Sequence, residues 1–289
     1  MTTDQQIRGA LTAEQHRQWE DQGYVLLRGL LPARSLEAVR QIFEETVDRQ
    51  AKEWYAQGRI TDMCEGLPFS QRYTALREQL PPTFSNSWRR IIVSKPIYDL
   101  WQKPEVIAVL RGLLGDELYA HGIWNGRPRP PKQTVMTIDW HQDAHYYADY
   151  KPEEGTLVTA WIPLVPVDEA SGCLEVIPGS HKRGYVPPIR VLRNNLIGVP
   201  DDIVEGLPSV ACPMQPGDVL LFDALTLHHS LDNAADYIRW SVDIRFCSAA
   251  NSVLVAKGGQ GYYCFSAADP SRVESYETWA AKYTHEGEF

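Results

Sequence analysis

The apolar positions in the first part of the chain recur at helical spacing and predict helices around one early strand. Thr12 and Gln15 fit a capping box that opens a short helix, and Gly23 stands where that helix would end. The apolar run Tyr24–Leu31 has the length of a strand. A second helix, with its apolar stripe packed on a sheet, is predicted by the spacing of Leu36, Val39, Phe43, Val47 and Trp54.

The pattern then changes from an irregular stretch to short strands. Residues 61–103 are broken by prolines and have no regular period, whereas Pro104–Gly115 predicts one more short helix with a glycine stop. Beyond Gly115, apolar runs of strand length alternate with turn-forming residues, and no helical pattern intervenes. The clearest predicted strands are 156–165, 173–177, 218–223 and 239–246. This texture is typical of an antiparallel sandwich or barrel, here buttressed by N-terminal helices.

Composition fits one soluble domain. The chain has 289 residues and is 44% hydrophobic, which is ample for a sizeable core. We expect a single domain, with a helical part at about 1–115, a β core at about 116–250 and a C-terminal extension at 251–289. The net charge of -9 argues against nucleic acid or an anionic membrane as a partner, because no basic patch is present to release counterions.

The location predicted from the sequence is cytoplasmic. No run of about 20 apolar residues is present for a membrane span, and the polar N-terminus lacks the apolar core of a secretory signal. The five cysteines are scattered and form no CxxC pair, which argues against a disulfide scaffold or a zinc ribbon. Reduced thiols in a cytoplasm are the simpler interpretation.

A candidate metal site begins at His141 and Asp143. Two residues that are two apart on an extended segment point the same way, so both side chains can bind one metal ion. Alone, this pair is as easily a surface turn. A second pair, His228 and His229, follows a turn and a buried strand, and either histidine can complete the site. Two histidines and one carboxylate leave three open positions on an octahedral iron, as in Fe(II) oxygenases.

The predicted strand 239–246 alternates strictly between apolar and polar residues. One side carries Trp240, Val242, Ile244 and Phe246, and the other carries Arg239, Ser241, Asp243 and Arg245. A polar interior is costly unless it holds ions or a polar ligand. An inward guanidinium there can grip the far end of a dicarboxylate through two hydrogen bonds.

With these motifs in order, the chain resembles the phytanoyl-CoA dioxygenase family of Fe(II)/2-oxoglutarate oxygenases. The resemblance runs from residue 23 to residue 246 and is most specific at 140–143, 161–164, 172–181 and 228–245. It implies a mainly β fold with flanking helices, built on a double-stranded β-helix (jelly-roll) core. It also implies Fe(II) as cofactor, 2-oxoglutarate as cosubstrate and O2 as co-reactant.

The resemblance also assigns the site residues. His141 and Asp143 match the first two metal ligands of the family. The family places an arginine eleven residues after the third ligand and often a serine two residues after it, and His228 satisfies both spacings. We therefore expect His228 to be the third ligand and His229 to face the opposite side. The residues implied for 2-oxoglutarate are Arg239, Ser230, Ser241 and Trp161.

Residues beside the metal motif are candidates for binding the substrate. They are Tyr146, Tyr147, Trp124, Asn125 and Arg127, although packing explains several of them as well. Arg245 is either a cation that anchors the substrate or an ion-pair partner of Asp243. No basic cluster suited to the phosphates of coenzyme A is evident.

The expected activity is hydroxylation of a small-molecule metabolite, in specialised metabolism or the catabolism of small acids. Halogenating relatives lack the carboxylate ligand, which Asp143 supplies here. Desaturation, cyclisation and epoxidation remain alternatives to hydroxylation. Two other classes compete: a metal-dependent cupin-type enzyme without 2-oxoglutarate, and a catalytically silent binding protein on the same fold. The first has no need for Arg239 and Ser241, and the second has no need for the complete ligand set.

Overall fold

The computed structural model describes residues 11–81, 88–131, 139–147, 150–151, 153, 155–190, 197–257 and 259–283. The α-helices in these ranges are Ala13–Gln22 (α1), Glu37–Ala56 (α2), Phe69–Glu78 (α3), Lys95–Trp101 (α4), Pro104–Leu114 (α5), Asp201–Val204 (α6), Ser252–Lys257 (α7) and Tyr276–Ala281 (α8). The strands are Tyr24–Leu27 (β1), Glu117–Arg129 (β2), Leu157–Pro163 (β3), Leu174–Val176 (β4), Ile189–Arg190 (β5), Ile197–Gly198 (β6), Val210–Cys212 (β7), Val219–Asp223 (β8), His228–Ser230 (β9), Arg239–Ser248 (β10) and Tyr262–Ser266 (β11).

The N-terminal helix and strand confirm the sequence prediction in detail. The Thr12 side chain accepts a hydrogen bond from the Gln15 backbone, while the Gln15 side chain accepts one from the Thr12 backbone. Gly23 ends α1 in the left-handed region, with a φ of 76°, which a residue with a side chain rarely adopts. The strand that follows is shorter than predicted and stops at Leu27.

The expectation of an irregular stretch at 61–103 was wrong in part, because it contains α3 and α4. Helix α3 has ten residues and no side-chain hydrogen bond at its N-cap, so its local signal is weak. Its stability comes from packing: the ring of Tyr73 lies 5.0 Å from that of Trp88 and 5.5 Å from that of Trp240. Tertiary contacts thus stabilise a helix that the local sequence pattern does not predict.

The strands form a six-stranded sheet in the order β1-β8-β3-β10-β2-β11 and a three-stranded sheet in the order β7-β4-β9, while β5 and β6 form a separate pair. All of these strand pairings are antiparallel, as predicted. The four clearest predicted strands correspond to β3, β4, β8 and β10. Strand β2 and the edge strand β11, which lies in the C-terminal extension, were not predicted.

The two faces of the six-stranded sheet have different neighbours. The face that packs against the N-terminal helices is called the outer face, and the face turned toward the three-stranded sheet is called the inner face. Gly126 on β2 allows the close approach on the outer face, since an added Cβ would lie 2.4 Å from Cδ1 of Ile92. The main cluster of buried apolar residues includes residues from Tyr24 to Tyr283. That the chain forms a single domain stays a prediction. No helix within the described ranges is both long and apolar enough to cross a bilayer.

Candidate metal centre

His141, Asp143 and His228 come together between the two sheets. Nε2 of His141 lies 3.8 Å from Oδ1 of Asp143, and Nε2 of His228 lies 3.9 Å from the same oxygen. Bonds of about 2.1 Å, such as zinc makes to these donors, let one ion bridge atoms up to about 4.2 Å apart. All three side chains are buried, and they are the cluster of possible metal ligands found among the described residues.

The local backbone explains the convergence. His141 and His228 form an isolated antiparallel bridge, with reciprocal backbone hydrogen bonds of 3.1 Å. Gln142 is extended, so the side chains on either side of it point the same way, as predicted from the spacing of two. Asp143 then opens a short 3-10 turn that ends at Tyr146.

Backbone carbonyls fix both imidazole rings. Nδ1 of His141 lies 2.8 Å from the Asp139 carbonyl oxygen, and Nδ1 of His228 lies 2.9 Å from that of Thr226. Nδ1 must carry the hydrogen to donate to a carbonyl, which leaves the Nε2 lone pair directed at the site. Burial lowers the pKa of both rings and keeps them neutral. Neutral imidazoles with free Nε2 atoms are the form that binds a metal ion.

Asp143 is held by Arg245. Nη2 of Arg245 donates to Oδ1 at 2.7 Å and to Oδ2 at 2.8 Å, and its Nε donates to Oδ2 at 3.0 Å. The hydroxyl of Thr159 also donates to Oδ2. Burial alone would raise the pKa of Asp143, but the Arg245 guanidinium outweighs it and holds that pKa below its ordinary value. The carboxylate is therefore ionised and fixed in orientation.

Arg239 is a buried cation that lacks a carboxylate partner within the described part of the chain. Its side chain is on the inner face, 1% exposed, and its guanidinium lies 5.4 Å from the ring centre of Trp161. Nη1 is 3.4 Å from Oγ of Ser241, and Nε has no hydrogen-bond partner. Burial, followed by the charges of Arg129 and Arg127, lowers the pKa of Arg239 well below its ordinary value. Such a group needs an anion beside it.

A cavity opens beside the metal cluster, with walls from both sheets. Its lining is Arg127, His141, Asp143, Thr159, Trp161, Leu174, Phe222, His228, His229, Ser230, Asp243 and Arg245. Trp161 and Ser230 therefore face the cavity, as expected for residues that contact a cosubstrate. Arg239 and Ser241 are not among the lining residues, and the Arg239 guanidinium lies over the Trp161 ring.

His229 contributes its ring to the cavity edge and not to the metal cluster. Its Nε2 lies 2.6 Å from Oε2 of Glu175, and its ring stacks on Trp140 at 4.0 Å. The orientation agrees with the prediction that His228, and not its neighbour, faces the metal. Its Nε2 is engaged by Glu175, and His229 is not part of the cluster formed by His141, Asp143 and His228.

The two tyrosines after the metal motif have different surroundings. Tyr146 is 39% exposed and its ring stands 5.9 Å from that of His141, so it lies at the rim of the site. Tyr147 is buried against His121, with ring centres 5.2 Å apart, and does not line the cavity. Neither tyrosine is among the residues that line the cavity, and Tyr146 is the one that lies near the metal cluster.

The three candidates on β2 divide between the faces of the sheet. Trp124 is opposite Ile244 and lies in the core, where its indole donates to the Tyr283 hydroxyl at 2.8 Å. The structure therefore does not bring Trp124 to the cavity. Arg127 faces inward and donates to Asp243, and it lines the cavity. Asn125 also faces inward and donates to Asp243 at 3.1 Å.

Sequence reasoning missed two residues of the site and left a third undecided. Thr159 stands two before Trp161 on the same strand, so the strand period of two would have placed it on the inner face. Arg245 pairs with Asp243, as one of its two interpretations held, but it also grips the metal-site carboxylate. Arg89 reaches Asn125 from a turn that shows no pattern in the sequence.

Comparison with known proteins gives consistent matches. The family described as Phytanoyl-CoA dioxygenase (PhyH) matches residues 19–241. The peroxisomal phytanoyl-CoA dioxygenase of Homo sapiens is 23% identical over 256 residues, which cover 86% of this chain and 72% of the relative. The 1-deoxypentalenic acid 11-beta-hydroxylase of Streptomyces arenae is 31% identical over 170 residues, which cover 53% and 57% of the two chains.

A solved structure shares the fold. EctD from S. alaskensis, crystallised with 2-oxoglutarate and 5-hydroxyectoine, superposes with a TM-score of 0.59 and 22% identity, covering 87% of this chain and 79% of that one. This likeness confirms the predicted fold class, a jelly-roll core with flanking helices. The described strands form two separate sheets and not a closed barrel.

Proposed function

This chain belongs to the phytanoyl-CoA dioxygenase family, and from that premise we propose that it hydroxylates a small-molecule metabolite. It is an Fe(II)- and 2-oxoglutarate-dependent oxygenase, and the hydroxylation and the kind of substrate are the finer parts of the proposal. One observation carries it: a buried ligand set of two neutral histidines and one carboxylate lies on the same inner face as a buried guanidinium that needs an anion.

His141, Asp143 and His228 would hold Fe(II) through Nε2, Oδ1 and Nε2. Fe(II) held there, together with 2-oxoglutarate and O2, would supply the oxidising power for hydroxylation of a C–H bond, with CO2 and succinate as the other products. The protein fixes the ligands: two carbonyls orient the rings, Arg245 contacts both oxygens of Asp143, and Thr159 donates to Oδ2. This support holds the three ligand side chains at the wall of the cavity.

Arg239 would bind the distal carboxylate of 2-oxoglutarate. Its unsatisfied Nε and its nearby Ser241 hydroxyl offer hydrogen bonds to an anion, and the Trp161 ring covers the guanidinium. A dicarboxylate anchored there removes the cost of an unpaired buried cation. Ser230, on the strand of His228, lines the same cavity and completes the proposed cosubstrate set.

Asp143 favours hydroxylation over halogenation, because its carboxylate fills the coordination position that a halide would need. The Streptomyces arenae relative is named as a hydroxylase, which supports the same outcome. Desaturation, cyclisation and epoxidation would use the same protein groups, so the identified product decides among them. Arg127, Asn125 and Tyr146 remain proposed contacts of the substrate. A cytoplasmic location also remains a prediction.

The test is formation of succinate. Protein purified without oxygen is given Fe(II), ascorbate and 2-oxoglutarate, O2 is admitted, and succinate is quantified with and without a pool of metabolites. We expect wild type to release succinate and Asp143→Ala to release none above the no-enzyme background. The fraction of the pool that stimulates release leads to the substrate, and the mass of its product distinguishes hydroxylation from loss of two hydrogens.

Calorimetry of 2-oxoglutarate binding distinguishes the proposed oxygenase from a cupin-type metal enzyme and from a silent binding protein. We expect Arg239→Met to weaken binding by about 30-fold or more, since one partner of a buried charge pair is removed. Binding without turnover would point to a protein that waits for its own substrate. No binding to the wild-type, iron-loaded protein would instead favour a cupin-type metal enzyme or a silent binding protein.

A further inference from the structure

The inner face carries more positive charge than the proposed cosubstrate requires. Four arginine side chains point inward from β2 and β10, and a fifth, Arg89, reaches the same face from the turn before Arg90–Ile92. The inward four are Arg127, Arg129, Arg239 and Arg245. Among the described residues, the carboxylates that pair with this group are those of Asp143, Asp243 and Asp232.

The pairing within this group leaves two guanidiniums over. Arg245 is shared between Asp143 and Asp243, and Arg127 also pairs with Asp243. Arg129 lies 3.8 Å from the exposed Asp232. The two cations without a carboxylate partner among the described residues are Arg239 and Arg89.

Loading the site does not remove the excess. Fe(II) brings two positive charges and 2-oxoglutarate two negative ones, so the surplus of two positive charges is the same before and after loading. Arg239 is buried and Arg89 is partly buried, and a surplus of this kind is unfavourable unless another anion enters. The third reactant, the substrate, is the component left to supply that anion.

The surplus cation Arg89 has a defined place. Its Nε donates to the Trp124 carbonyl, and its Nη2 lies 3.3 Å from Oδ1 of Asn125. Asn125 in turn donates to Asp243, which Arg127 also contacts. Burial lowers the pKa of Arg89, and the charges of Arg245 and Arg127 lower it further, against the opposite effects of Tyr283 and Asp243.

Arg89 contacts the part of this region that lies farther from Arg239. Asn125 is opposite Asp243 in the strand register, and Asp243 stands four residues from Arg239 along β10. At about 3.3 Å per residue, Asn125 is therefore about 13 Å from Arg239 along the strand, whereas Arg127, opposite Ser241, is only two residues away from it. Arg127 is 18% exposed at its side chain and lines the cavity with Asp243, so this part of the region is open to a ligand.

We propose that Arg127 and Arg89 form a second anion site, which binds a carboxylate of the substrate, so that the enzyme acts on carboxylic acids. This inference rests on the proposed function and names its substrate class. A carboxylate is favoured over a phosphate because Asp243 already forms an ion pair with the Arg127 guanidinium. A dianion would bring a second negative charge against Asp243, whereas a monoanion matches the one guanidinium left over at this end.

The test compares acids with their uncharged counterparts. Full-length protein, loaded with Zn(II) and saturating 2-oxoglutarate, is titrated with octanoate, cyclohexanecarboxylate and phenylacetate, with the methyl ester of each, and with inorganic phosphate. Binding is measured as the rise in the unfolding temperature, because a ligand of the native state stabilises it by mass action. We expect the acids to stabilise the protein more than the esters and more than phosphate.

Two charge-matched variants locate the site. Arg89→Gln and Arg90→Gln each remove one positive charge, but Arg90 is exposed on the neighbouring position. We expect Arg89→Gln to weaken acid binding by about 30-fold, as loss of one member of a buried charge pair does, and Arg90→Gln to leave it unchanged. The affinity for 2-oxoglutarate should stay within about twofold in both variants, since Arg239 lies at the other end.

Each other outcome contradicts the carboxylate site. Equal stabilisation by acids and esters, or by none of them, would overturn it, as would an unchanged acid affinity in Arg89→Gln. Tighter binding of phosphate than of any acid would replace the carboxylate by a phosphate ester. Loss of 2-oxoglutarate binding in wild type would instead mean that the proposed function fails, which is a distinguishable result.

Discussion

Strand β10 has two faces with opposite physical characters. On the outer face, the ring of Trp240 lies 5.0–5.5 Å from those of Phe43, Phe69, Tyr73 and Trp88. Such aromatic contacts stabilise the fold through buried area and ring geometry. This face is where the helices attach to the sheet.

On the inner face, the same strand presents ions. Asp243 and Arg245 are both buried, and Arg239 lacks a carboxylate partner in the described residues. Buried ion pairs often contribute less to stability than apolar residues of similar volume, because desolvation offsets their attraction. The difference between the faces teaches that stability comes from the outer side, while the inner side retains costly groups for binding and chemistry.

Substitution of the adjacent residues Trp240 and Ser241 is the most severe test of whether the outer face provides stability and the inner face provides binding. Trp240→Ala should lower the free energy of unfolding by about 3–5 kcal/mol, since it empties the centre of the aromatic cluster. At a temperature where this variant is folded, its affinity for 2-oxoglutarate should be close to that of wild type. The measurements are urea denaturation and calorimetry.

Ser241→Ala is the matched control on the other face. It should change the unfolding free energy by less than about 1 kcal/mol, yet weaken 2-oxoglutarate binding by about tenfold, as expected for one hydrogen bond to a charged group. If Trp240→Ala loses cosubstrate affinity as strongly as Ser241→Ala, the two faces do not divide stability from function.

A somewhat smaller loss is expected within the inner face. Arg245→Met leaves Asp143 without its guanidinium, while Asp243 keeps Arg127. We expect the metal-free protein to lose about 3 kcal/mol, at the lower end for breaking a buried ion pair. Urea denaturation of the metal-free protein measures it.

The double variant Arg245→Met/Asp143→Asn provides the control. Removing the stranded charge should recover most of the lost stability, because the penalty is that of an unpaired carboxylate. If the loss of unfolding free energy in the double variant equals the sum of the losses in Arg245→Met and Asp143→Asn within about 0.5 kcal/mol, the two side chains are not coupled. Arg245 would then be excluded as the partner that holds Asp143.

The sequence predicted this inner face better than it predicted the helices around it. Strict alternation over 239–246 determines which side chains share a face, and the spacing of two places His141 beside Asp143. Both inferences need only the strand period. The choice of His228 over His229 came from resemblance, and the structure agrees because Glu175 holds His229.

What the sequence did not predict depends on contacts between distant segments. Strand β2 includes Gly122, Gly126 and Pro128, which weaken its local strand signal, and it is stabilised by pairing with β10 and β11. Trp124 was expected near the substrate because it precedes the metal motif, yet the strand period turns it to the core. The partnership of Arg245 with Asp143 spans 102 positions and leaves no local trace.

The smallest effect is expected where the inner face ends, at His121 on β2. Its Nε2 lies 3.1 Å from Sγ of Cys247, and its ring packs edge-on against Tyr147 and Tyr119. Burial, followed by the charge of Arg245, lowers the pKa of His121 to about 3.

The unfolded chain takes up a proton on this histidine near pH 6.5 and the folded protein does not, so stability is lost as the pH falls from about 6.5 towards 3. Between pH 7.5 and 5.5, wild type should lose about 1.4 kcal/mol more than His121→Phe, measured by urea denaturation of metal-free protein. The comparison of the two proteins cancels the other histidines. Equal losses would mean that His121 is protonated in the folded state. The destabilising groups of the inner face would then include Arg245 but not His121.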